Sequence, residues 1–187
     1  MRVTVYCGAA LGHDEKYPRI AKELAEWIAG EGHVLVYGGG NVGLMGMLAD
    51  YVLARGGQVI GVMPEFLVGR ELAHPGLTRL EIVQTMHERK MKMIELGDVY
   101  IALPGGPGTL EEITEVISWG RIGQHSHPCI FMNQTGFYEE LKQQYTKMVQ
   151  EGFLTHTDFE KILFAEDIVE IEPFIEAYTP CAVREYK

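Results

Sequence analysis

The sequence has few cysteines and no long apolar run. Its three cysteines, Cys7, Cys129 and Cys181, are widely spaced and form no Cys-x-x-Cys pair, which favours free thiols over a disulfide framework. No apolar stretch approaches the roughly 20 residues that a membrane-spanning helix needs. The N-terminus enters a strand-like run without the apolar core of a signal peptide. We therefore expect a cytoplasmic protein that is not inserted in a membrane.

The chain also lacks an excess of basic residues. It has 16 lysines and arginines against 26 acidic residues, which gives a formal net charge of −10. Nucleic acids and anionic membranes are bound through basic patches, so neither is expected as a partner. A small phosphorylated ligand stays compatible with this charge, because it needs only a few local donors.

Patterns for metal sites and serine hydrolases are missing as well. Of the seven histidines only His125 and His127 lie close together, and no acid or cysteine cluster next to them completes a set of metal ligands. The Gly-x-Ser-x-Gly turn of serine hydrolases does not occur. We therefore expect neither a metal nor a cofactor.

Strand-like and helix-like segments alternate along the chain. Short apolar runs predict strands at 2–7, 34–37, 58–63, 80–84, 99–103, 128–133 and 162–164. Helical periodicity predicts helices at 17–31, 46–55, 86–96, 136–152 and 167–178, and one from the 104–112 turn to 119. Residues 65–79 show no period and predict a long functional loop. The alternation predicts an α/β fold, with a single Rossmann-like domain over 1–187 and a mostly parallel sheet with helices on both faces.

The most informative stretch is PGGPGTLEE at 104–112. It follows an apolar strand-like run and precedes a helical pattern, which is how α/β proteins place a phosphate at a helix N-terminus. Thr109 adds a hydroxyl and Glu112 adds a carboxylate. Two interpretations of Glu112 remain open at this point, because Thr-x-x-Glu is also the pattern of a helix capping box.

A second glycine-rich turn, GGGNVG at 38–43, matches the dinucleotide fingerprint G-x-G-x-x-G. Glu65 lies near the distance at which that fingerprint places an acid, but it follows a proline outside the predicted strand. Three interpretations are open: a dinucleotide site, a purely structural tight turn, and a mononucleotide site shared with the 104–112 turn. The last requires that the two strands lie close together in the sheet.

Two adjacent cations, Arg89 and Lys90, occur at the start of the predicted helix 86–96. Positive charge there opposes the helix dipole, and a local conflict of this kind is expected at functional sites. A solvated basic face that also includes Lys92 is the alternative.

Three motifs together resemble the LOG family, named from the Lonely guy cytokinin-activating enzymes and long labelled as lysine decarboxylases. They are YGGGNVGLMG at 37–46, MHERK at 86–90 and PGGPGTLEE at 104–112. The resemblance covers residues 3 to about 154 in order and spacing. It implies hydrolysis of the N-glycosidic bond of a nucleoside 5′-monophosphate, releasing free base and ribose 5-phosphate. In this family the preferred substrates are N6-modified adenosine monophosphates, and members form at least dimers, so a homodimer is expected.

The resemblance also implies which residues form the site. Arg89 and Glu112 are the expected catalytic pair. The expected substrate-binding residues are Gly39, Gly40, Glu71, Met86, Arg89, Lys90, Gly105, Gly106, Gly108, Thr109, Leu110, Glu111 and Ser118. Pro107 fills a free position of the motif and removes one N–H donor from the turn. A non-catalytic nucleotide or molybdenum-cofactor binding protein of the same fold is the alternative function.

Overall fold

Seven strands form one sheet in the computed structural model, which describes residues 1–68 and 73–182. The strands are β1 (Arg2–Tyr6), β2 (Val34–Tyr37), β3 (Gln58–Pro64), β4 (Arg79–Val83), β5 (Val99–Ala102), β6 (Cys129–Met132) and β7 (Ile162–Ala165). Their order across the sheet is β4-β3-β2-β1-β5-β6-β7, and each neighbouring pair is parallel. The predicted α/β class and parallel sheet are confirmed.

Helices cover both faces of this sheet. They are α1 (Lys16–Gly30), α2 (Gly43–Ala54), α3 (Glu65–Val68), α4 (Met86–Leu96), α5 (Pro107–Arg121), α6 (Glu139–Gln150), α7 (His156–Phe159) and α8 (Ile171–Ala177), with a 3-10 helix at Ile168–Glu170. Residues of α1, α2 and α8 form one apolar core, and residues of α4, α5 and α6 form the other. None of the described helices combines the length and the hydropathy needed to cross a bilayer.

Strand β1 lies at the centre of the sheet and its side chains alternate between the two cores. Val3 and Val5 pack with α1 and α2, whereas Tyr6 packs with α4 and α5, as the two-residue period of a strand requires. Thr4 is buried and its hydroxyl donates to the Met93 carbonyl oxygen of α4 at 3.1 Å. The last residue of β1 therefore points toward the helices that follow β4 and β5.

The functional crevice lies where the strand order changes direction, between β1 and β5. The backbone of Gly8, just after β1, joins both glycine-rich turns. Its N–H donates to the Pro104 carbonyl oxygen at 3.1 Å, and its carbonyl oxygen accepts from the Leu44 N–H at 3.1 Å. The two turns flank one strand and meet at one edge of the sheet, as a shared site requires.

Several boundaries differ from the prediction, and three of the differences have an identifiable cause or consequence. Helix α2 starts at Gly43, three residues earlier than expected, because the Gly8 carbonyl oxygen accepts the N–H groups of its first turn. Helix α6 starts only at Glu139, because the Asn133 side chain binds the Tyr138 N–H at 2.8 Å and holds a turn before it. The segment 65–79 is not a continuous loop, since α3 occupies its beginning and β4 its last residue.

Candidate active site

A cavity of about 270 Å³ opens at the carboxyl ends of β1 and β2, between α4 and α5. Its volume is near the lower end of ligand pockets, roughly 300 Å³. The residues that line it are Val5, Tyr6, Cys7, Gly8, Ala9, Gly38, Met45, Met86, Arg89, Met93, Gly106, Gly108, Thr109, Glu111 and Glu112. All three motifs that carried the family resemblance thus contribute to one cavity.

Arg89 of α4 and Glu112 of α5 form an ion pair inside this cavity. The Arg89 Nη1 atom lies 3.2 Å from the Glu112 Oε1 atom, and both residues are buried, at 8% and 9% exposure. The Arg89 Nε–H also donates to the Val62 carbonyl oxygen of β3 at 3.2 Å. The guanidinium is therefore held from two sides, and the expected catalytic residues lie next to each other.

The glycine at position 38 makes room for this guanidinium. A Cβ atom at Gly38 would overlap the Arg89 Nη2 atom, so no larger residue fits without moving the arginine. The packing of the pair thus accounts for a glycine at this position.

Two opposing effects act on the pKa of the Glu112 carboxyl. Removal from water raises the pKa of its carboxyl above the ordinary 4.5, and the positive charge of Arg89 opposes that rise. A carboxylate that is ionised yet poorly solvated interacts strongly with any charge that develops beside it.

The interpretation of Glu112 as a capping residue is wrong. Helix α5 has Gly106 as its N-cap, so Thr109 lies inside the first turn and Glu112 one turn further on. A threonine N-cap with a glutamate three residues later occurs instead at the start of α4. There the Thr85 hydroxyl accepts from the Glu88 N–H at 3.1 Å, and the Glu88 carboxylate accepts from the Gln84 N–H at 2.9 Å.

The N-terminus of α5 leaves backbone donors free for an anion. Its first intrahelical bond runs from the Leu110 N–H to the Gly106 carbonyl oxygen at 3.2 Å, so the N–H groups of Gly108 and Thr109 have no acceptor within the helix. Pro107 occupies the first helical position, where a missing N–H costs least. Gly106 and Gly108 are exposed, and a Cβ at either would meet no atom within 4 Å, so open space borders this turn. The turn has the features of a phosphate cradle.

The other glycine-rich turn does not offer such a cradle. The N–H groups of Leu44 and Met45 at the start of α2 point to the Gly8 carbonyl oxygen, at 3.1 and 3.4 Å. Those donors would have to bind the pyrophosphate of a dinucleotide. The N–H groups at the start of α2 therefore hold the turn together. They are not available to bind a pyrophosphate, which argues against the dinucleotide interpretation.

Lys90 is not part of a solvated basic face. Its ammonium contacts the Glu111 carboxylate at 2.5 Å and the Glu115 carboxylate at 3.0 Å, and its side chain is 17% exposed. The hydrogen bond to Glu111 and the contact with Glu115 raise the pKa of Lys90. Lys90 thus fastens α4 to α5 beside the catalytic pair, and Glu111 reaches the cavity from the same contact.

The remaining expected substrate-binding residues divide into four groups. Met86, Gly106, Gly108 and Thr109 line the cavity. Gly39 and Gly105 are chain neighbours of lining residues, and Gly40 is two residues from the lining Gly38. Leu110 and Ser118 are exposed on α5 and are not among the described lining residues, so their contact with a nucleotide stays a prediction. Glu71 lies outside the described residues.

Sequence reasoning missed the contribution of β1 and of the turn after it. Tyr6, Cys7, Gly8 and Ala9 line the cavity, yet none was expected to. A signal was present, because Gly8 follows the predicted strand 2–7 and the loops after strands of open α/β sheets lie at the ligand crevice. Met45 and Met93 also line the cavity and are buried, and no local pattern distinguishes them from core residues.

Comparison with known proteins agrees with this geometry. The sequence model of one family, described as "Possible lysine decarboxylase", matches residues 45–173. A protein of Rhodococcoides fascians named cytokinin riboside 5′-monophosphate phosphoribohydrolase is 46% identical, over 89% of this chain and 84% of its own. A relative of that name from Arabidopsis thaliana is 39% identical over 98% of this chain and 85% of its own. The chain belongs to the LOG family. A rice relative named as the same enzyme is 40% identical over 96% of this chain.

Solved structures show the same fold at lower identity. The molybdenum-cofactor carrier protein of Chlamydomonas reinhardtii superimposes with a TM-score of 0.71 and 19% identity, over 94% of this chain and 97% of its own. The molybdenum cofactor binding protein of Rippkaea orientalis gives a TM-score of 0.57 with 21% identity, over 82% of this chain. At these identities the likeness concerns the fold alone.

The older decarboxylase description finds no support in the cavity. A pyridoxal-dependent decarboxylase needs a lysine that can form a Schiff base. No lysine is among the described residues that line the cavity, and the nearby Lys90 is bound to two carboxylates.

Proposed function

We propose that this LOG-family protein is a hydrolase that cleaves the N-glycosidic bond of nucleoside 5′-monophosphates. The products are the free base and ribose 5-phosphate, and the substrate class is adenosine monophosphate, with N6-modified forms preferred. The observation that carries the proposal is the buried Arg89–Glu112 pair at 3.2 Å, one helical turn from the open N-terminus of α5. The curated relatives named as phosphoribohydrolases support the same reaction.

The cradle and the pair fit the two ends of a ribose phosphate. The 5′-phosphate binds at the free N–H groups of Gly108 and Thr109, where the helix dipole also favours negative charge. Glu112 follows one turn later on the same helix, which places the ribose between the cradle and the ion pair. The phosphate takes no part in the bond cleavage, but its binding energy positions the N-glycosidic bond beside the ion pair.

Charge development explains why the pair is needed. Breaking the C–N bond leaves positive charge on the ribose and negative charge on the departing base. The Glu112 carboxylate either stabilises the positive ribose or orients the attacking water. The charge of Arg89 favours the ionised form of Glu112 against the effect of burial, and its planar donors are available to ribose hydroxyls or to the base. None of these steps calls on a metal or a cofactor.

The test is product analysis with a catalytic variant. Purified protein is incubated with N6-isopentenyl-adenosine monophosphate, adenosine monophosphate and other nucleotides, and free base is measured by chromatography. Wild type should release base, and Glu112→Gln should lose about 10²–10³-fold in turnover, the scale of removing one electrostatic stabiliser, while still binding nucleotide. Absence of free base from the whole panel, together with nucleotide binding, would instead support a non-catalytic binding protein.

We also propose that the protein is a cytosolic homodimer, as members of the family form dimers. Helices α4 and α5 carry the exposed apolar side chains Met86 and Leu110, and Ile122 directly follows α5, at 38–49% exposure. Such side chains are typical of contact surfaces. Light scattering should give twice the monomer mass of 21.0 kDa. A monomer at micromolar concentration would contradict the dimer without affecting the proposed reaction.

A further inference from the structure

Tyr6 differs from the other tyrosines of the interior in what its hydroxyl contacts. Four described tyrosines are less than 5% exposed: Tyr6, Tyr37, Tyr100 and Tyr138. Three of them donate to backbone carbonyl oxygens, Tyr37 to Gly40 at 3.1 Å, Tyr100 to Ile94 at 2.8 Å and Tyr138 to Leu103 at 2.7 Å. Within residues 1–68 and 73–182, no protein group forms a hydrogen bond with the hydroxyl of Tyr6, which is 2% exposed.

A tyrosine hydroxyl in a protein interior needs a hydrogen-bond partner from the protein, from water or from a ligand. Tyrosine hydroxyls in protein interiors nearly always find a hydrogen bond, and leaving one unmade costs more than a typical bond contributes. Phenylalanine would fill the same space without that cost. The chain nevertheless has a tyrosine here, in a residue that lines the cavity of the catalytic pair.

The position of Tyr6 places it at the inner end of that cavity. It is the last residue of the central strand β1 and packs on the side of α4 and α5. Gly108 at the cradle is exposed, whereas Tyr6, Arg89 and Glu112 are buried. A nucleotide with its phosphate at the cradle therefore extends its ribose toward these three side chains.

The hydroxyl remains protonated at this position. Burial is the largest cause that raises the pKa of Tyr6, and the negative charge of Glu112 raises it further. Tyr6 is thus a neutral group that both donates and accepts, which matches a sugar hydroxyl better than it matches a phosphate.

We propose that the Tyr6 hydroxyl is a further substrate contact of this site and forms a hydrogen bond with the ribose of the bound nucleotide, beside Glu112. This inference rests on the proposed function, since it assumes that a nucleoside monophosphate occupies the cavity. Three observations point to the same contact: Tyr6 lines the cavity, its hydroxyl has no hydrogen-bond partner among residues 1–68 and 73–182, and the catalytic pair lines the same cavity.

The test is Tyr6→Phe, which removes only the oxygen. Loss of one hydrogen bond to the substrate should lower kcat/KM for the nucleotide about tenfold. The melting temperature should stay the same or rise, because the Tyr6 hydroxyl forms no hydrogen bond with the described part of the chain that the variant could lose. A merely structural tyrosine would show the opposite pattern, with lower stability and unchanged kcat/KM.

Tyr100→Phe is the matched control. That variant loses a hydroxyl that donates to the Ile94 carbonyl oxygen at 2.8 Å, with the Gly97 carbonyl oxygen 3.4 Å away, at the far end of α4. Its melting temperature should therefore fall while kcat/KM remains within twofold of wild type. A Tyr6→Phe protein with kcat/KM within twofold of wild type would overturn the inference. If wild type releases no base at all, the proposed reaction fails, and calorimetry with adenosine monophosphate decides the Tyr6 contact: about tenfold weaker binding by Tyr6→Phe supports it, and equal binding refutes it.

Discussion

Replacing Gly38 by alanine should disable the catalytic pair without touching either of its members. The added Cβ would lie 2.0 Å from the Arg89 Nη2 atom, and ordinary contact begins at 3.4 Å, so the guanidinium must move by about 1.4 Å. It cannot move that far and keep both of its 3.2 Å contacts, to the Val62 carbonyl oxygen and to Glu112. A displacement of about 1 Å at a reacting centre costs on the order of 10²-fold in rate.

The variant should also be less stable, by about 1–3 kcal/mol, which is the usual cost of overpacking. Turnover of the nucleotide and urea unfolding measure the two effects separately. Gly30→Ala is the control, because a Cβ at Gly30 meets no atom within 4 Å and the residue ends α1 far from the cavity. If Gly38→Ala keeps more than about a third of wild-type turnover, well above the loss expected for a 1 Å displacement, the position of Arg89 does not matter for the reaction and the pair is only structural.

Two further predictions concern the cradle and the protonation of the pair. Gly108→Ala meets no neighbour within 4 Å and removes a poor helix former, so stability should stay equal or rise by up to about 1 kcal/mol. Its methyl group obstructs the phosphate, so KM for the monophosphate should rise about tenfold or more, and an unchanged KM would place the phosphate elsewhere. The activity should fall toward acid pH with a midpoint above 4.5, because burial raises the pKa of Glu112 and the protonated carboxyl is inactive. Full activity at pH 4 would show that an ionised Glu112 is not required.

The order of strands and helices was predictable because the apolar periods are strong and glycines separate the segments. The site motifs were predictable for the same reason, since each glycine-rich turn directly follows a strand. Helix boundaries were not, because they depend on distant groups. The start of α2 is set by the Gly8 carbonyl oxygen, more than 30 residues earlier in the chain.

The roles of individual site residues depended on tertiary packing. The local pattern Thr-x-x-Glu left the role of Glu112 open, and only the N-cap at Gly106 excluded the capping box. Lys90 resembled a free cation in the sequence, yet two glutamates of α5 neutralise it. Gly38 matched a phosphate-binding fingerprint, although its small size serves the Arg89 guanidinium.

The central claim is that the cradle and the pair act on one phosphorylated nucleoside. The most direct measurement compares kcat/KM for a nucleoside 5′-monophosphate with that for the same nucleoside without its phosphate. A cradle built on the free N–H groups of α5 predicts a preference of at least 10²-fold for the monophosphate, equivalent to about 3 kcal/mol of phosphate binding energy. Equal values of kcat/KM for the two substrates would contradict it, and so would a protein that releases base from the nucleoside but not from the monophosphate.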